Sequence, residues 1–176
     1  SDVCSSDLAV IAKQQQKMAL LKTFEQKTQL SDYELAELLQ AVGFQGEALK
    51  TAWAVSKKES NGRPKAHNTN AKTGDNSYGI FQINMYKELE ASRKAKFNLE
   101  DNTDLFNPVK NAQIAYFMSK GGKDWTAWNG ITNVTVGLKN QYPGKPNYMK
   151  MTKKDLRHLN YKECINRTKE AKKPRG

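Results

Sequence analysis

The feature that most constrains this chain is a glutamate at the end of an apolar helix, directly before a long polar loop. Apolar periodicity predicts that one side of this helix carries Leu49, Ala52, Trp53 and Ser56. The pair Asn61-Gly62 ends the helix, and Gly, Pro and Asn then crowd residues 62–79, where we expect a loop. The carboxyl group of Glu59 can therefore lie against apolar walls and still face a cleft.

This placement bears on the acid–base chemistry of Glu59. Burial disfavours the charged carboxylate and raises its pKa, so that Glu59 could donate a proton near neutral pH. Lys57 and Lys58 would lower the pKa if they were close, but on a helix we expect them to point to other faces. From the position alone, an ordinary solvated glutamate at a helix end is the commoner case, and that alternative stays open.

Helix signals also lie on both sides of this segment. Ser31 and Glu34 fit a capping box, in which each side chain satisfies the free backbone amide of the other residue. Apolar residues then follow at helical spacing, at Leu35, Leu38, Leu39 and Val42. Gly43 suits the end of that helix, and Asn107-Pro108 opens another one, which Gly121-Gly122 closes. The fold class is therefore predicted to be mainly α.

Composition divides the chain into four parts. Residues 1–8 match an in-frame translation of a sequencing-library adapter, so we expect an artefact there and a natural N-terminus that is missing. Residues 9–30 are expected to form a helical flank, because Ala, Lys, Gln and Leu dominate it and Gly and Pro are absent. Residues 31–137 are expected to form the main domain, and residues 138–176 a basic linker or tail.

The net charge of +11 is concentrated in the tail, where residues 139–176 hold 12 Lys and Arg against 3 Asp and Glu. Such a tail favours polyanions, either nucleic acid or an anionic cell wall. Tyr142, Tyr148 and Tyr161 stand among the lysines, but a solvated charge run explains the tail better than a nucleic-acid site does. No stretch approaches the roughly 18 unbroken apolar residues that a membrane span requires, so we expect a soluble chain.

Metal and thiol chemistry are not favoured. His67 and His158 are isolated, and the chain has neither a His-Glu-x-x-His motif nor a paired Cys motif. Cys4 falls in the adapter-like segment, which leaves Cys164 alone in the basic tail, so we expect no intrachain disulfide. We predict a protein that needs no metal ion and no cofactor.

Three motifs, in this order and spacing, together resemble the lysozyme-like superfamily. Residues 54–62, Ala-Val-Ser-Lys-Lys-Glu-Ser-Asn-Gly, resemble its catalytic-glutamate motif, and residues 78–84, Tyr-Gly-Ile-Phe-Gln-Ile-Asn, resemble its Gly-Leu-Phe-Gln-Ile motif. Residues 125–130 are similar to its third motif, with Trp128 where Tyr is usual. The nearest types are the soluble lytic transglycosylases and the goose-type lysozymes. The resemblance implies a helical lysozyme-like catalytic domain over 31–137, with a short β or irregular segment at the cleft.

The resemblance implies roles for individual residues. Glu59 would protonate the glycosidic oxygen as the bond to the leaving sugar breaks. Ser60 would hydrogen-bond substrate or intermediate, Gly79 would let the backbone approach the glycan closely, and Gln82 would hydrogen-bond near the catalytic carboxyl group. Each of these three also has an ordinary structural alternative: a helix-end hydroxyl, a turn, and a polar side chain on a short strand.

Three further residues complete the predicted substrate site. Tyr78 and Trp128 offer flat surfaces for sugar rings, although aromatic residues at such positions are as often part of the core. Asn129 would bind an N-acetyl group or hold Glu59, or otherwise cap a turn.

Hydrolysis requires a second carboxylate, and Asp75 is the candidate for activating water. Goose-type lysozymes have an Asp in a similar Gly-Asp segment, but they commonly place another Asp where this chain has Asn84, which we keep as a substrate-contact candidate. A lytic transglycosylase needs no activated water, because a hydroxyl of the substrate itself attacks the anomeric carbon. We therefore favour the transglycosylase narrowly and keep the hydrolytic muramidase open.

The expected function is cleavage of the β-1,4 bond between N-acetylmuramic acid and N-acetylglucosamine in bacterial peptidoglycan. The expected partners are the glycan strands and, through the basic tail, anionic wall polymers. A catalytically silent wall-binding or virion module is the alternative from a different class. The chain would act on the bacterial cell wall, either as a bacteriophage virion component or endolysin or as a secreted or periplasmic bacterial enzyme.

Overall fold

The computed structural model describes residues 6–144, which form a mainly helical domain with one small sheet, as predicted. The α-helices are α1 Ser6–Phe24, α2 Asp32–Val42, α3 Gly46–Ser60, α4 Glu88–Phe97, α5 Pro108–Met118 and α6 Asn133–Lys139. The strands are β1 His67–Asn70, β2 Asp75–Tyr78 and β3 Ile83–Asn84, and 3₁₀ turns cover Asn102–Phe106 and Thr126–Trp128.

The predicted capping interactions are confirmed. The Ser31 hydroxyl accepts a hydrogen bond from the Glu34 amide at 3.1 Å, and the Glu34 carboxylate accepts one from the Ser31 amide at 3.1 Å. Gly43 ends α2, and Asn107 caps α5 by accepting from the Val109 amide at 3.0 Å. These bonds satisfy amides that the first turn of a helix leaves free, so they fix where α2 and α5 begin.

Helix α3 carries the apolar face that joins the helical part to the rest of the core. Trp53 is buried, and its indole N–H donates to the Asp32 carbonyl at 3.0 Å, which holds the start of α2 against α3. Phe44 stacks near Phe81 and Trp125, with ring centroids 6.3 and 6.1 Å away. This aromatic cluster ties the α2–α3 connection to the segment before β3, so α3 and the sheet share one core.

The sheet corrects one expectation, since residues 62–79 are not simply a loop. They contain the antiparallel β1–β2 hairpin, in which Asn70 pairs with Asp75 and His67 with Tyr78. β3 adds to the other side of β2, so the strand order is β1-β2-β3. The sequence did not predict this hairpin because Asn and Gly, which are frequent here, generally disfavour strands. They suit only the turn between β1 and β2.

Other boundaries also differ from those that the sequence suggested. The first helix ends at Phe24, before the end of the helical flank expected over residues 9–30, and α4 was not predicted. The last helix continues to Lys139, whose ammonium group lies 3.3 Å from the Glu47 carboxylate on α3. Most of the basic tail, together with Cys4, His158 and Cys164, lies outside the described residues. Within residues 6–144, no helix combines the length and apolar character that crossing a membrane requires.

Candidate active site

Glu59 lies in the last turn of α3, at the junction of the helical part and the sheet. Asn61 ends the helix in a left-handed conformation with φ of 53°, and its amide bonds to the Lys57 carbonyl at 2.9 Å. The neighbouring Ser56 and Ser60 are buried, whereas the Glu59 side chain is half-buried. The carboxyl group is thus partly desolvated and still reachable from solvent.

The electrostatic surroundings of Glu59 raise its pKa above the usual value for a glutamate. Burial is the largest cause, because it penalises the charged form. The positive charge of Lys58 acts in the opposite direction, and the negative charge of Asp75 raises the pKa further. Lys58 is therefore close enough to matter, contrary to the expectation that both lysines point away, whereas Lys57 pairs with Asp32 at 2.7 Å.

Asp75 begins β2, and the hairpin returns it towards the end of α3. Its carboxylate accepts a hydrogen bond from the Thr73 hydroxyl across the hairpin turn. The negative charge of Asp75 raises the Glu59 pKa although 16 positions separate the two residues in the sequence. The β1–β2 hairpin supplies the physical means for this interaction.

Asn84 holds the hairpin turn in place through both ends of its amide. Its Nδ2 donates to the Gly74 carbonyl at 2.8 Å, and its Oδ1 accepts from the amides of Asn76 and Tyr86 at 3.0 Å each. A carboxylate at this position could accept but could not donate the bond to Gly74. Asn84 thus supports the loop that carries Asp75, and its contact with substrate stays a prediction.

Ser60 fastens the end of α3 to the segment before β3. Its exposed fraction is 2%, and its hydroxyl lies 2.9 Å from the Ile80 carbonyl and 3.1 Å from the Ser56 carbonyl. These contacts fit the structural alternative, a helix-end hydroxyl that is engaged by the protein itself. The predicted substrate contact of Ser60 is not tested by this geometry.

Gly79 sits where no side chain fits. Its φ is +78°, and a Cβ atom there would lie 2.2 Å from the Asn111 Nδ2 and 2.4 Å from the Leu105 carbonyl oxygen. Its amide donates to the Ala66 carbonyl at 2.7 Å. The close backbone approach seen here is thus to Asn111 and Leu105, while an approach to the glycan stays a prediction.

Asn111 is a functional candidate that sequence reasoning missed. It is fully buried on α5, where its Nδ2 donates to the carbonyls of Tyr78 at 2.9 Å and Leu105 at 3.0 Å. Its Oδ1 accepts from the Phe81 amide at 3.0 Å. The available signal was an Asn among the apolar residues of the predicted helix, since a buried amide needs partners. Asn111 fixes the Tyr78–Phe81 turn opposite the end of α3.

Gln82 lies beside this turn with φ of 49°, rather than within a strand. Its Nε2 donates to the carbonyls of Gly79 at 2.9 Å and Ala66 at 3.1 Å, and its Oε1 accepts from the Asn68 amide group at 2.8 Å. The side chain therefore joins β1 to the Gly79 turn. Its predicted hydrogen bond near the catalytic carboxyl group stays a prediction.

The two aromatic candidates are largely buried, and the remaining amide candidate is exposed. Tyr78 has 9% of its surface exposed and stacks on His67 with ring centroids 4.2 Å apart. Trp128 is 5% exposed, and its indole N–H donates to the Phe81 carbonyl at 2.7 Å. Asn129 is solvent-exposed with φ of 63° and follows the 3₁₀ turn. Tyr78 and Trp128 thus belong mainly to the core, while Asn129 is free to meet a ligand.

Taken together, the described part of the chain offers a half-buried carboxyl group, a second carboxylate that acts on it, and a turn held by the side-chain amides of Asn111 and Gln82. In the same range, no cluster of three or more His, Cys, Asp or Glu side chains could hold a metal ion. In this arrangement the Glu59 carboxyl group can deliver a proton, and the negative charge of Asp75 can orient a nearby polar or cationic group.

Comparison with known proteins agrees with this geometry. The sequence model described as a lysozyme-like domain matches residues 36–130, a range that contains Glu59, the sheet, the Gly79 turn and Trp128. Neither the curated proteins nor the solved structures include a match to the chain. The matched range covers more than half of the 176 residues, so the chain belongs to the family of lysozyme-like domains, whose membership supports a peptidoglycan-acting glycosidase.

Proposed function

We propose that this domain cleaves the β-1,4 bond between N-acetylmuramic acid and N-acetylglucosamine in peptidoglycan, with Glu59 as the general acid. One observation carries the proposal: the Glu59 carboxyl group is half-buried at the end of α3, and burial together with Asp75 raises its pKa. A carboxyl group in that state retains its proton at a higher pH and can pass it to the glycosidic oxygen. The bond to the leaving sugar then breaks with the proton on the departing oxygen.

Hydrolysis is one route for this cleavage, and Asp75 supports it. The Asp75 carboxylate accepts a hydrogen bond from the Thr73 hydroxyl, and its negative charge acts on Glu59, which supports it as the base of an inverting glycosidase. It would accept a proton from the attacking water, whose oxygen bonds to the anomeric carbon. The transglycosylase that the sequence narrowly favoured requires no such base, so the role of Asp75 is what distinguishes the two routes.

A lytic transglycosylase is the second candidate, and the amide at Asn84 favours it. Goose-type lysozymes commonly have an aspartate at that position, while here Asn84 is engaged in holding the Asp75 loop. In this route Glu59 first protonates the leaving oxygen and then accepts a proton from a hydroxyl of the muramic acid. That hydroxyl attacks the anomeric carbon, and an anhydro sugar results.

The first experiment measures clearing of a peptidoglycan suspension by the purified chain. We expect clearing by the parent protein, no clearing by Glu59→Gln and unchanged clearing by Glu25→Gln, a control that removes an exposed carboxylate between α1 and α2. Circular dichroism should show that all three proteins are folded. Clearing by Glu59→Gln would refute the proposed acid, and no clearing by the folded parent protein would indicate the silent module.

The second experiment identifies the products by mass spectrometry. Reducing muramic acid ends would indicate hydrolysis, and anhydro ends would indicate the transglycosylase. If hydrolysis is found, Asp75→Asn should lower its rate by about 100-fold or more, within the range typical of lost base catalysis. If Asp75→Asn changes neither rate nor products, Asp75 has no role as the base.

The biological setting is a separate part of the proposal. A phage virion component, an endolysin and a secreted or periplasmic bacterial enzyme would all meet the same substrate. The basic tail would add attraction to anionic wall polymers, which salt should weaken.

A further inference from the structure

A groove of about 1060 Å³ has a lining that does not include Glu59 or Asp75. It runs between α4 and the C-terminal end of α5 and reaches Ala127, directly before Trp128. Arg93 in its wall donates a hydrogen bond to the Asn84 carbonyl at 2.6 Å. One wall of the groove therefore contacts β3 through Arg93, and the other ends next to the Trp128–Asn129 turn.

The charged side chains of this groove are all cationic. Arg93, Lys96 and Lys120 line it, and no carboxylate is among its lining residues. Among residues 6–144, no carboxylate lies within salt-bridge distance of Arg93 or Lys96, while Lys120 is 3.8 Å from Asp124. Arg93 is half-buried, and burial lowers its pKa. An anion in the groove would supply an ionic partner for this guanidinium, whose hydrogen bond to the Asn84 carbonyl leaves its charge unpaired among the described residues.

The groove also exposes apolar surface next to these charges. Phe117 is 59% exposed, and its ring lies 5.7 Å from that of Phe97. The Lys96 ammonium group lies 5.0 Å from the Phe117 ring centroid, which places one charge directly beside the exposed ring. A ligand that suits the groove therefore has both negative charges and small apolar groups.

We propose that this groove binds the anionic stem peptide that projects from the muramic acid of the glycan strand. The inference rests on the proposed function, because the stem peptide is covalently attached to the glycan strand that Glu59 would cleave. Stem peptides combine free carboxylates with alanine side chains, which match the cations and the exposed ring. A phosphate-bearing wall polymer would satisfy the charges alone and leave the apolar surface unused.

The test compares binding of two soluble glycan fragments to the Glu59→Gln protein by calorimetry. One fragment carries stem peptides, and the other is the same fragment after an amidase has removed them. We expect the peptide-bearing fragment to bind at least about tenfold more tightly, and the difference to shrink at high salt. Adding Lys96→Gln or Phe117→Ala should remove most of the difference, while Lys17→Gln on α1, the matched control for lost charge, should preserve it.

Equal affinities for the two fragments, or a peptide preference that survives both groove substitutions, would overturn the proposal. Its failure is distinguishable from that of the proposed function. Clearing of peptidoglycan without a peptide preference refutes the groove alone, and a peptide preference without clearing refutes the glycosidase alone. If a phosphate polymer instead of the peptide-bearing fragment competes for the groove, the stem peptide is the wrong ligand.

Discussion

The clearest quantitative consequence of the structure concerns Gly79, for which Gly130 provides a matched control. The two glycines have nearly the same positive φ, +78° and +75°. A Cβ atom on Gly79 would lie 2.2 Å from the Asn111 side chain and 2.4 Å from the Leu105 carbonyl oxygen, whereas one on Gly130 would meet nothing within 4 Å. Substitution to alanine therefore introduces the same backbone strain at both positions and a steric clash at only one.

The expected free energies of unfolding follow from these distances. An alanine forced to positive φ costs about 1 kcal/mol, so Gly130→Ala should lose about that amount. At Gly79 overpacking adds about 1–3 kcal/mol, and each Asn111 hydrogen bond that breaks adds about 1 kcal/mol. We expect Gly79→Ala to be destabilised by about 3–5 kcal/mol.

Urea denaturation followed by circular dichroism would measure both variants at one pH. The difference between them should be at least about 2 kcal/mol, which corresponds to a shift in Tm of about 4–8 °C for a chain of this size. Gly79→Ala should also lose activity more than stability alone explains, because the Tyr78–Phe81 turn must move. Equal destabilisation of the two variants would refute the packing of Asn111 and Leu105 against Gly79.

Three further outcomes follow from the electrostatics and hydrogen bonds of the site. Asp75→Asn should lower the Glu59 pKa and move the alkaline limb of the pH–activity profile to lower pH, where residual activity can be measured. Lys58→Gln should raise the Glu59 pKa and move that limb to higher pH. Shifts of the same sign in the two variants would contradict the assignment of Glu59 as the acid. The raised pKa means that ionising Glu59 costs stability as pH rises from its unfolded-state pKa through its folded-state pKa. Glu59→Gln should therefore have a higher Tm than the parent at pH 8 and a similar one near pH 4, and a lower Tm at pH 8 would argue against a desolvated carboxyl group. Ser60→Ala should lower the unfolding free energy by about 1–2 kcal/mol in urea titrations, because the Ile80 carbonyl loses its donor; an unchanged value would leave substrate binding as the role of Ser60.

The sequence determined the elements whose signals are local. The capping box at Ser31 and Glu34, the end of α2 at Gly43 and the start of α5 at Pro108 were all predicted and are confirmed. Each depends on residues within four positions of one another, so the interaction partners are already adjacent in the chain. The three spaced motifs were likewise sufficient for the lysozyme-like fold class.

The tertiary structure decided which side chains of the candidate site form hydrogen bonds to the backbone of distant segments. The bonds of Asn111 to Tyr78, Ser60 to Ile80 and Trp128 to Phe81 join residues 33, 20 and 47 positions apart. No spacing rule identifies such pairs, because they exist only after α3, α5 and the sheet have packed together. The approach of Asp75 to Glu59 has the same origin. The sequence thus identified Glu59 as the candidate acid, while folding determined the environment that raises its pKa, since desolvation and nearby charge are properties of the packed chain.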